Sequence, residues 1–237
     1  MNLPPLVNGI ILKRYKRFLA DVELEDGQRV TAHCPNTGSM RGCWQPGAPV
    51  QISHSDNPKR KLAWTLERVD MGQGWIGVHT GRTNSVIGEA LREGRIHGLT
   101  GYQNIRSEVV FDPPGFDRCR FDFQLSQGLE PDAWVEVKNV TLWEGDRLLF
   151  PDAVTQRGRK HLELLAEACR TGHRGIMIYA LNRPEGGTFS PADEVDPDYG
   201  ATLRRVVRQG GVEVMALRVE HLEQALRVAE TVDVDLS

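Results

Sequence analysis

The 237-residue chain lacks the sequence features of membrane-spanning, secreted and disulfide-rich proteins. No apolar run approaches the roughly 18 residues that a membrane span needs. The first residues have neither the basic segment nor the long apolar stretch of a signal peptide. Its four cysteines are irregularly spaced and form no Cys-x-x-Cys pair, which argues against a zinc site or a disulfide framework. We therefore expect a cytoplasmic protein with no membrane partner.

Several enzyme signatures are missing as well. The chain has no Walker loop, dinucleotide fingerprint or nucleophile elbow, so no organic cofactor is expected. A net charge of −3 argues against a strongly basic protein that coats nucleic acid. The charge is uneven, because residues 1–80 hold 10 Lys/Arg and 7 Asp/Glu (+3), whereas residues 81–237 hold 19 and 25 (−6). Such asymmetry is typical of a nucleic-acid surface on the more basic part.

Residues 1–80 have the pattern of a small β-barrel. Alternating residues over 17–24 and again over 29–33 flank the turn residues Asp26 and Gly27, which predicts a hairpin. Further short strands are indicated at 6–12, 49–53, 61–69 and 74–79. Without a helical segment among them, these strands indicate a small barrel or sandwich. We predict an N-terminal OB-like β-barrel, because such barrels commonly present a nucleic-acid-binding face.

Two basic clusters with neighbouring aromatic residues lie in this part of the chain. Positive charge beside aromatic rings is typical of surfaces that bind single-stranded or flexible nucleic acid. The alternative is a pair of solvated turns whose charges keep strand edges soluble. The residues concerned are Lys13, Arg14, Tyr15, Lys16 and Arg17 in the first cluster, and Lys59, Arg60, Lys61 and Trp64 in the second.

Residues 81–237 read as an α/β domain. Thr83 or Asn84 is predicted to cap a helix that ends near Arg92, and Thr155 to cap a second helix. The order of predicted elements is α-β-β-β-α-β-α-β-α. The remaining elements are strands at 107–111, 118–125, 133–140, 175–180 and 212–219, and helices at 199–209 and 220–229.

The most informative pattern lies on the two neighbouring strands 118–125 and 133–140. Because side chains alternate along a strand, Glu136 and Lys138 share one face, and pairing of the strands would bring Asp122 to them. Carboxylates suit Mg²⁺, which activates water against a phosphodiester, and an ammonium group stabilises the charge that develops. The alternative is an exposed charge pair of the kind that edge strands carry. The apolar residues of the first strand are predicted to share its opposite face: Phe121, Phe123 and Leu125.

Five sequence blocks carry a resemblance to a known family. They are RYKRFLADV (14–22), HCPNTGSM (33–40), SDNPKRK (55–61), VEVKNVTL (135–142) and FPDAV (150–154). With these blocks the chain resembles the sugar fermentation stimulation protein (SfsA) family over nearly its whole length. The resemblance implies an OB-like domain over 1–80 and a mixed-sheet α/β domain over 81–237 that is similar to PD-(D/E)xK nucleases. It also implies nonspecific DNA binding and a link to the regulation of sugar use, notably of maltose.

The resemblance assigns roles to single residues. Asp122 and Glu136 look like the metal ligands, and Lys138 looks like the catalytic lysine. The first core helix of this nuclease fold often supplies a further carboxylate, for which Glu89 is a candidate and Glu108 its rival. The alternative for both is a surface or capping charge.

Four residues further along the chain complete the candidates. Asp152 is either another acidic site residue or a helix N-cap, since Asp is a preferred cap. Arg157 and Lys160 are candidates for contacts with DNA phosphates. His161 is a further candidate, with a hydrogen-bonded structural histidine as the alternative.

Together these observations predict a DNA-binding protein with a Mg²⁺- or Mn²⁺-dependent nuclease site. Two alternatives stay open: a DNA-binding regulator that does not cut, and a hydrolase that acts on a small phosphate compound. RNA is the alternative polymer. The acidic net charge of residues 81–237 leaves the barrel as the main source of phosphate affinity. The sequence leaves the oligomeric state open, with a homodimer as one option.

Overall fold

The computed structural model describes residues 1–36 and 38–237. The first six strands form one sheet in the order β3-β2-β1-β4-β5-β6. A parallel pairing of Ala32 in β3 with Trp64 in β5 closes the first five strands into a barrel. The strands are β1 (Leu6–Tyr15), β2 (Leu19–Leu24), β3 (Arg29–His33), β4 (Pro49–His54), β5 (Trp64–Asp70) and β6 (Trp75–Gly77).

Alternation explains why these segments fold as barrel strands. Ala20, Val22 and Leu24 of β2 are buried, while the residues between them are only partly buried. The inward residues meet Ile11, Ile52 and other apolar side chains in one core. The hairpin predicted at Asp26 and Gly27 joins β2 to β3, and the predicted OB-like barrel is confirmed.

The rest of the chain builds a nine-stranded mixed sheet in the order β10-β11-β13-β15-β14-β12-β9-β8-β7. Strands β9, β12 and β14 are parallel at its centre. The strands are β7 (Asn104–Phe111), β8 (Cys119–Ser126), β9 (Ala133–Val140), β10 (Leu142–Glu144), β11 (Arg147–Phe150), β12 (Arg174–Leu181), β13 (Thr188–Pro191), β14 (Glu213–His221) and β15 (Leu226–Val234).

Three helices cover the two faces of this sheet. They are α1 (Thr80–Arg92), α2 (Gln156–Arg170) and α3 (Pro197–Gly210). Helix α1 packs one face through Ile87 and Leu91, and α2 and α3 pack the other face through side chains such as Leu165 and Leu203. The predicted mixed-sheet α/β architecture is therefore confirmed. Within the two described stretches, no helix has the length and apolar character that a bilayer span requires.

The helix starts agree only in part with the prediction. Thr155 caps α2, since its side chain accepts a hydrogen bond from the backbone N–H of Gly158 at 3.0 Å. The predicted cap of α1 is wrong, because α1 begins at Thr80 and places Thr83 and Asn84 inside the helix. Their side chains instead reach the sheet, so tertiary contacts outweighed the local capping preference.

The helix predicted over 220–229 is also wrong. Strand β14 continues to His221, and β15 returns antiparallel beside it, with Glu220 opposite Arg227. Leu226, Val228 and Val232 are buried while the residues between them face water, so the period is two. Burial of this alternating face outweighed the helix-forming composition of the segment. The short strands β10, β11 and β13 were not predicted.

The predicted common face of Phe121, Phe123 and Leu125 is wrong in part. Phe123 and Leu125 pack on the α1 side of the sheet, but Phe121 packs on the α2 side. Strand β8 pairs with β9 only from Phe123 to Leu125. Toward the start of β8, before Phe123, the two strands separate, and this change of direction reorients the residues of β8 that lie there.

A buried arginine joins the barrel to the α/β sheet. Arg68 of β5 is 1% exposed, and its guanidinium donates to the carbonyls of Leu222 and Glu223, both at 2.7 Å. The N–H of Gly77 in β6 donates to the carbonyl of Asn182 at 2.7 Å. These contacts fix the barrel against the β14–β15 turn and the end of β12.

Candidate active site

Asp122 and Glu136 lie where β8 and β9 separate. The last paired residues are Phe123 and Val135, so the two carboxylates occupy the next position along each strand. The Asp122 side chain reaches across the gap, and its Oδ2 accepts a hydrogen bond from the backbone N–H of Val137 at 2.7 Å. The separation of the strands thus makes room for two acidic side chains that a continuous sheet would not hold.

Glu136 is held on one of its two oxygens. Oε1 accepts from Lys138 Nζ at 2.5 Å and from His161 Nδ1 on α2. Oε2 is buried, and no described residue donates a hydrogen bond to it. A buried carboxylate oxygen without a partner is costly, which makes Oε2 a candidate ligand position for a cation.

Helix α1 contributes the second contact to Asp122. Asn84 Nδ2 donates to Asp122 Oδ1 at 2.6 Å, so both carboxylate oxygens of Asp122 accept one hydrogen bond from the protein. Each oxygen keeps a second lone-pair direction. Asn84 therefore orients the Asp122 carboxylate without exhausting its capacity to bind a cation.

Burial and mutual repulsion set the protonation of the two acids. Burial, and then the negative charge of Glu136, raise the pKa of Asp122 to about 7. Burial also raises the pKa of Glu136, but the hydrogen bond from His161 and the charge of Lys138 outweigh it, and the net pKa is lowered. At neutral pH the site thus holds an ionised Glu136 beside an Asp122 that is half protonated. A cation would favour ionisation of both.

The donor set fits a hard cation that keeps part of its water shell. Among the described residues, no group of three or more His, Cys, Asp and Glu side chains is arranged to hold a metal. Mg²⁺, however, is usually bound by one or two carboxylates, with waters and substrate phosphates completing its coordination. The unpartnered Oε2 of Glu136 and the carboxylate of Asp122 meet that requirement.

Two predicted ligands lie elsewhere. Glu89 on α1 binds the amino group of Met1 at 2.5 Å and also contacts Arg95. Glu108 on β7 is exposed and pairs with Arg120. The structure therefore does not bring Glu89 or Glu108 to the two buried carboxylates. Both side chains form surface ion pairs, as the alternative proposed.

Asp152 faces a loop of the barrel. Thr155 caps α2, so the N-cap alternative for Asp152 is wrong. Its Oδ2 instead accepts from Ser39 Oγ at 3.1 Å and from the N–H of Met40 at 3.3 Å. Asp152 thus ties the loop that follows β3 to the α/β sheet, and it also lines a cleft beside the carboxylates.

This cleft has a volume of about 510 Å³ and lies between the barrel and the α/β sheet. One wall is the barrel loop, and the opposite wall is the first turn of α1. Lys138 lines the cleft, as does Asn84, which holds Asp122. The cleft therefore leads to the groups that surround the two carboxylates.

The first basic cluster lies partly on the turn between β1 and β2. Lys16 and Arg17 are exposed there with positive φ angles of 50° and 66°. Lys13 lies 4.8 Å from the centre of the Tyr15 ring. Arg14, which was predicted to contact nucleic acid, is occupied within the chain. Its guanidinium donates to three backbone carbonyls and so holds loops together.

The second cluster occupies the loop between β4 and β5. Lys59, Arg60 and Lys61 are exposed, although Arg60 also donates to Thr65 Oγ1 at 2.6 Å. Trp64 packs edge-on against His54, which leaves it half-buried. Contact of this loop with nucleic acid stays a prediction.

Arg157 and Lys160 on α2 have partners within the chain. Arg157 Nε donates to His161 Nε2 at 3.4 Å, and Lys160 pairs with the exposed Asp117 at 2.9 Å. Arg157 thus supports the histidine that holds Glu136. The Lys160 ion pair is exposed and weak, so that side chain remains available to a phosphate.

Sequence reasoning missed the supporting residues. Asn84 was considered only as a cap, and His161 only as a phosphate contact or a structural histidine. Asn139 was not considered, yet its Oδ1 accepts from Thr83 at 2.8 Å and from Asn182 at 2.6 Å beside the cleft. The sequence signal that could have found Asn84 was a polar residue on the inward face of a predicted helix.

Comparison with known sequences identifies both parts of the chain. Residues 81–225 match the family model described as the sugar fermentation stimulation protein RE domain, and residues 12–78 match the SfsA N-terminal OB domain. A sugar fermentation stimulation protein homolog of Geobacter metallireducens is 49% identical over 237 residues, which is 100% of both chains. The homolog of Syntrophotalea carbinolica is 51% identical over 220 residues, 92% of each chain.

A solved structure has the same fold. It is that of Pyrococcus furiosus SfsA in complex with Ca²⁺, with a TM-score of 0.86 over 99% of this chain and 98% of that chain. The sequence identity is 23%, so this likeness supports the fold alone.

Proposed function

This chain belongs to the sugar fermentation stimulation protein family, and we propose that it binds nucleic acid and cuts it at a Mg²⁺- or Mn²⁺-dependent site. Asp122 and Glu136 would hold the cation, and Lys138 would assist the chemistry. The observation that carries the proposal is the buried, unpartnered Oε2 of Glu136 beside the second carboxylate. The Pyrococcus furiosus protein of the same fold was solved in complex with Ca²⁺, a hard divalent cation like Mg²⁺.

The residues of the site would have separate roles in the reaction. A bound Mg²⁺ supplies Lewis acidity, which lowers the pKa of a water and offsets negative charge on the phosphate. Asn84 and His161 fix the two carboxylates, so little reorganisation is needed during the reaction. Lys138 has three N–H donors and gives one to Glu136, which leaves two for the phosphate oxygens that gain charge.

The barrel would supply most of the affinity for the polymer. Lys13 is exposed near the end of β1, Lys16 and Arg17 lie on the exposed turn that follows, and the cluster of Lys59, Arg60 and Lys61 lies on one exposed loop. Contacts with phosphates release counterions, so binding should weaken steeply as salt increases. We take DNA to be the polymer, with RNA as the alternative, and place this activity in the cytoplasm, where the link to sugar and maltose use would arise.

The test is metal-dependent cleavage. Purified protein is incubated with single- and double-stranded DNA in MgCl₂, MnCl₂ or EDTA, beside Lys138→Ala. A matched control is Arg208→Ala, which removes one exposed positive charge from α3. Cleavage that needs metal and is lost only in Lys138→Ala supports the proposal. Binding without cleavage in all three proteins would instead indicate a regulator that binds DNA on a nuclease-like scaffold.

A further inference from the structure

The loop after β3 forms one wall of the cleft, and hydrogen bonds hold it in place. Arg14 Nη2 donates to the carbonyls of Asn36 and Gly38 at 2.9 and 3.0 Å. Thr80 Oγ1 of α1 donates to the carbonyl of Pro35 at 2.7 Å. Together with the bonds from Ser39 and Met40 to Asp152, these contacts fix the loop from three directions.

Close packing and burial reinforce this wall. A Cβ at Gly38 would lie 2.5 Å from Asp152 Oδ2, so only glycine permits this approach. Cys34 at the start of the loop and Met40 within it are buried in the barrel core. The wall is therefore set by the fold of both parts of the chain.

The cleft lining suits a single nucleotide unit more than a bare phosphate. Leu142, Leu149 and Phe150 give it an apolar floor. Neutral amides and hydroxyls form most of its polar lining: Asn36, Thr80, Thr83, Asn84, Asn139 and Thr141. Such a mixture of apolar surface with placed polar groups is typical of pockets that recognise a planar, polar ligand such as a base with its sugar.

The amide of Asn139 is oriented by the protein. Its Oδ1 accepts from both Thr83 and Asn182, and no described residue accepts from the two N–H donors of its Nδ2. Lys138 provides the positive charge of the same lining. Donors and a cation beside an apolar floor match the acceptor atoms of a base and its phosphate.

We infer that this cleft admits one strand only, so that the site acts on single-stranded nucleic acid, one nucleotide of which enters between the β3–β4 loop and α1. The inference rests on the proposed function, whose substrate it specifies. A cleft of about 510 Å³ is the size of a pocket for one drug-sized ligand, so a base would have to leave the stack of a duplex before it could enter. Arg14 donates to the carbonyls of Arg17 and Asn36 and so ties the turn of Lys16 and Arg17 to the same loop.

The experiment introduces a larger side chain on α1 to narrow the cleft. Gly81 is exposed and lines the cleft, so Gly81→Phe adds a ring at its wall, with the new Cβ 3.1 Å from Cε1 of His79. Ser85→Phe is the matched control, since Ser85 is exposed one turn later on the same helix and does not line the cleft. Gly81→Leu is the second variant if the larger ring prevents folding, which circular dichroism would report.

Binding is measured by fluorescence anisotropy in EDTA and 150 mM salt, with a labelled 15-nucleotide dT strand and a blunt 15-base-pair duplex. The wild type should bind the single strand at least fivefold more tightly. Gly81→Phe should weaken single-strand binding at least tenfold and leave duplex binding unchanged, while Ser85→Phe should match the wild type.

Three results would overturn the inference. They are equal affinity of the wild type for both probes, unchanged single-strand binding by the Gly81 variants, and displacement of the strand by dTMP at concentrations near those of the oligonucleotide. Because no metal is present, the outcome is independent of cleavage. A protein that binds the strand through the cleft yet never cuts would refute the nuclease proposal and leave this inference intact.

Discussion

The barrel and the α/β sheet place their charged side chains differently. In the barrel the lysines of both basic clusters are exposed, on the end of β1, a turn and a loop, and residues 1–80 carry a net charge of +3. Residues 81–237 carry −6, and there a buried Glu136 and a partly buried Asp122 lie between separating strands and two helices. Exposed charges attract a ligand from a distance and are screened by salt, whereas buried charges are screened much less.

This difference indicates how the barrel and the α/β sheet can contribute to one function. An acidic domain repels a polyanion, so attraction has to come from the barrel. The buried site, in contrast, has its charges held by His161, Asn84 and Lys138 before any ligand arrives. Changes in the sheet should therefore affect chemistry and metal binding, and changes in the barrel should affect affinity and its dependence on salt.

Lys138→Met should have the largest effect. Loss of the ammonium should lower the single-turnover cleavage rate at least 100-fold, since it removes a donor from the developing charge. Mg²⁺ affinity, measured by calorimetry, should hold or rise, because a positive charge leaves the neighbourhood of the carboxylates. Arg208→Met should resemble the wild type. Normal cleavage by Lys138→Met would remove this lysine from the reaction.

Asp122→Asn should lower Mg²⁺ affinity at least tenfold and stabilise the metal-free protein at pH 8. The pKa of Asp122 is about 7 in the folded protein against an ordinary value of 3.8, so the folded state binds this proton more tightly. Stability is therefore lost as pH rises from about 4 to about 7, and the variant avoids that loss.

The expected gain at pH 8 is a few kcal/mol at most, since one pKa unit corresponds to about 1.4 kcal/mol, and each kcal/mol raises the melting temperature by about 2–4 °C; little difference is expected at pH 4. The amide of Asn84 can turn to present its oxygen to the new amide. Asp112→Asn, at an exposed position, is the control. Equal metal affinity in wild type and Asp122→Asn would refute the ligand assignment.

His161→Leu should weaken Mg²⁺ binding about 10- to 100-fold, as loss of a residue that orients a ligand typically does. The carboxylate of Glu136 would lose one of the two groups that hold its Oε1. His161→Asn keeps an N–H near the position of Nδ1 and should restore most of the affinity. If the Leu and Asn variants bind Mg²⁺ equally, the histidine has only a packing role.

Substitutions in the barrel should have the smallest effects. Replacing Lys59, Arg60 and Lys61 together by Ala should reduce DNA affinity at physiological salt and lower the magnitude of the salt slope by about 2, since each phosphate contact contributes roughly 0.7–0.9. The cleavage rate at saturating DNA should stay near that of the wild type. An unchanged slope would place the contact surface elsewhere on the chain.

Much of the fold could be predicted because local patterns agree with burial. Alternation marked β2 and β9, the Asp26-Gly27 turn marked a hairpin, and Thr155 marked the start of α2. The segment after Glu220 was misread because its composition favours a helix, while its alternation, visible only over nine residues, favours β15.

The site was predictable only where it depends on strand geometry. Glu136 and Lys138 lie on one strand two residues apart, so their contact follows from the period of a strand. The contacts of Asn84 and His161 depend on how α1 and α2 pack, which no local pattern encodes. Arg14 reads as a surface charge in the sequence, although the fold turns it toward loop carbonyls.

The most direct measurement is the anomalous X-ray signal of a crystal soaked in MnCl₂. The proposal predicts an ordered Mn²⁺ within about 2.5 Å of Glu136 Oε2 and of an Asp122 carboxylate oxygen. The same soak of Asp122→Asn crystals should give a much weaker peak. An ordered Mn²⁺ elsewhere, with Glu136 Oε2 still unpartnered, would contradict the claim that these two carboxylates form a metal-dependent site.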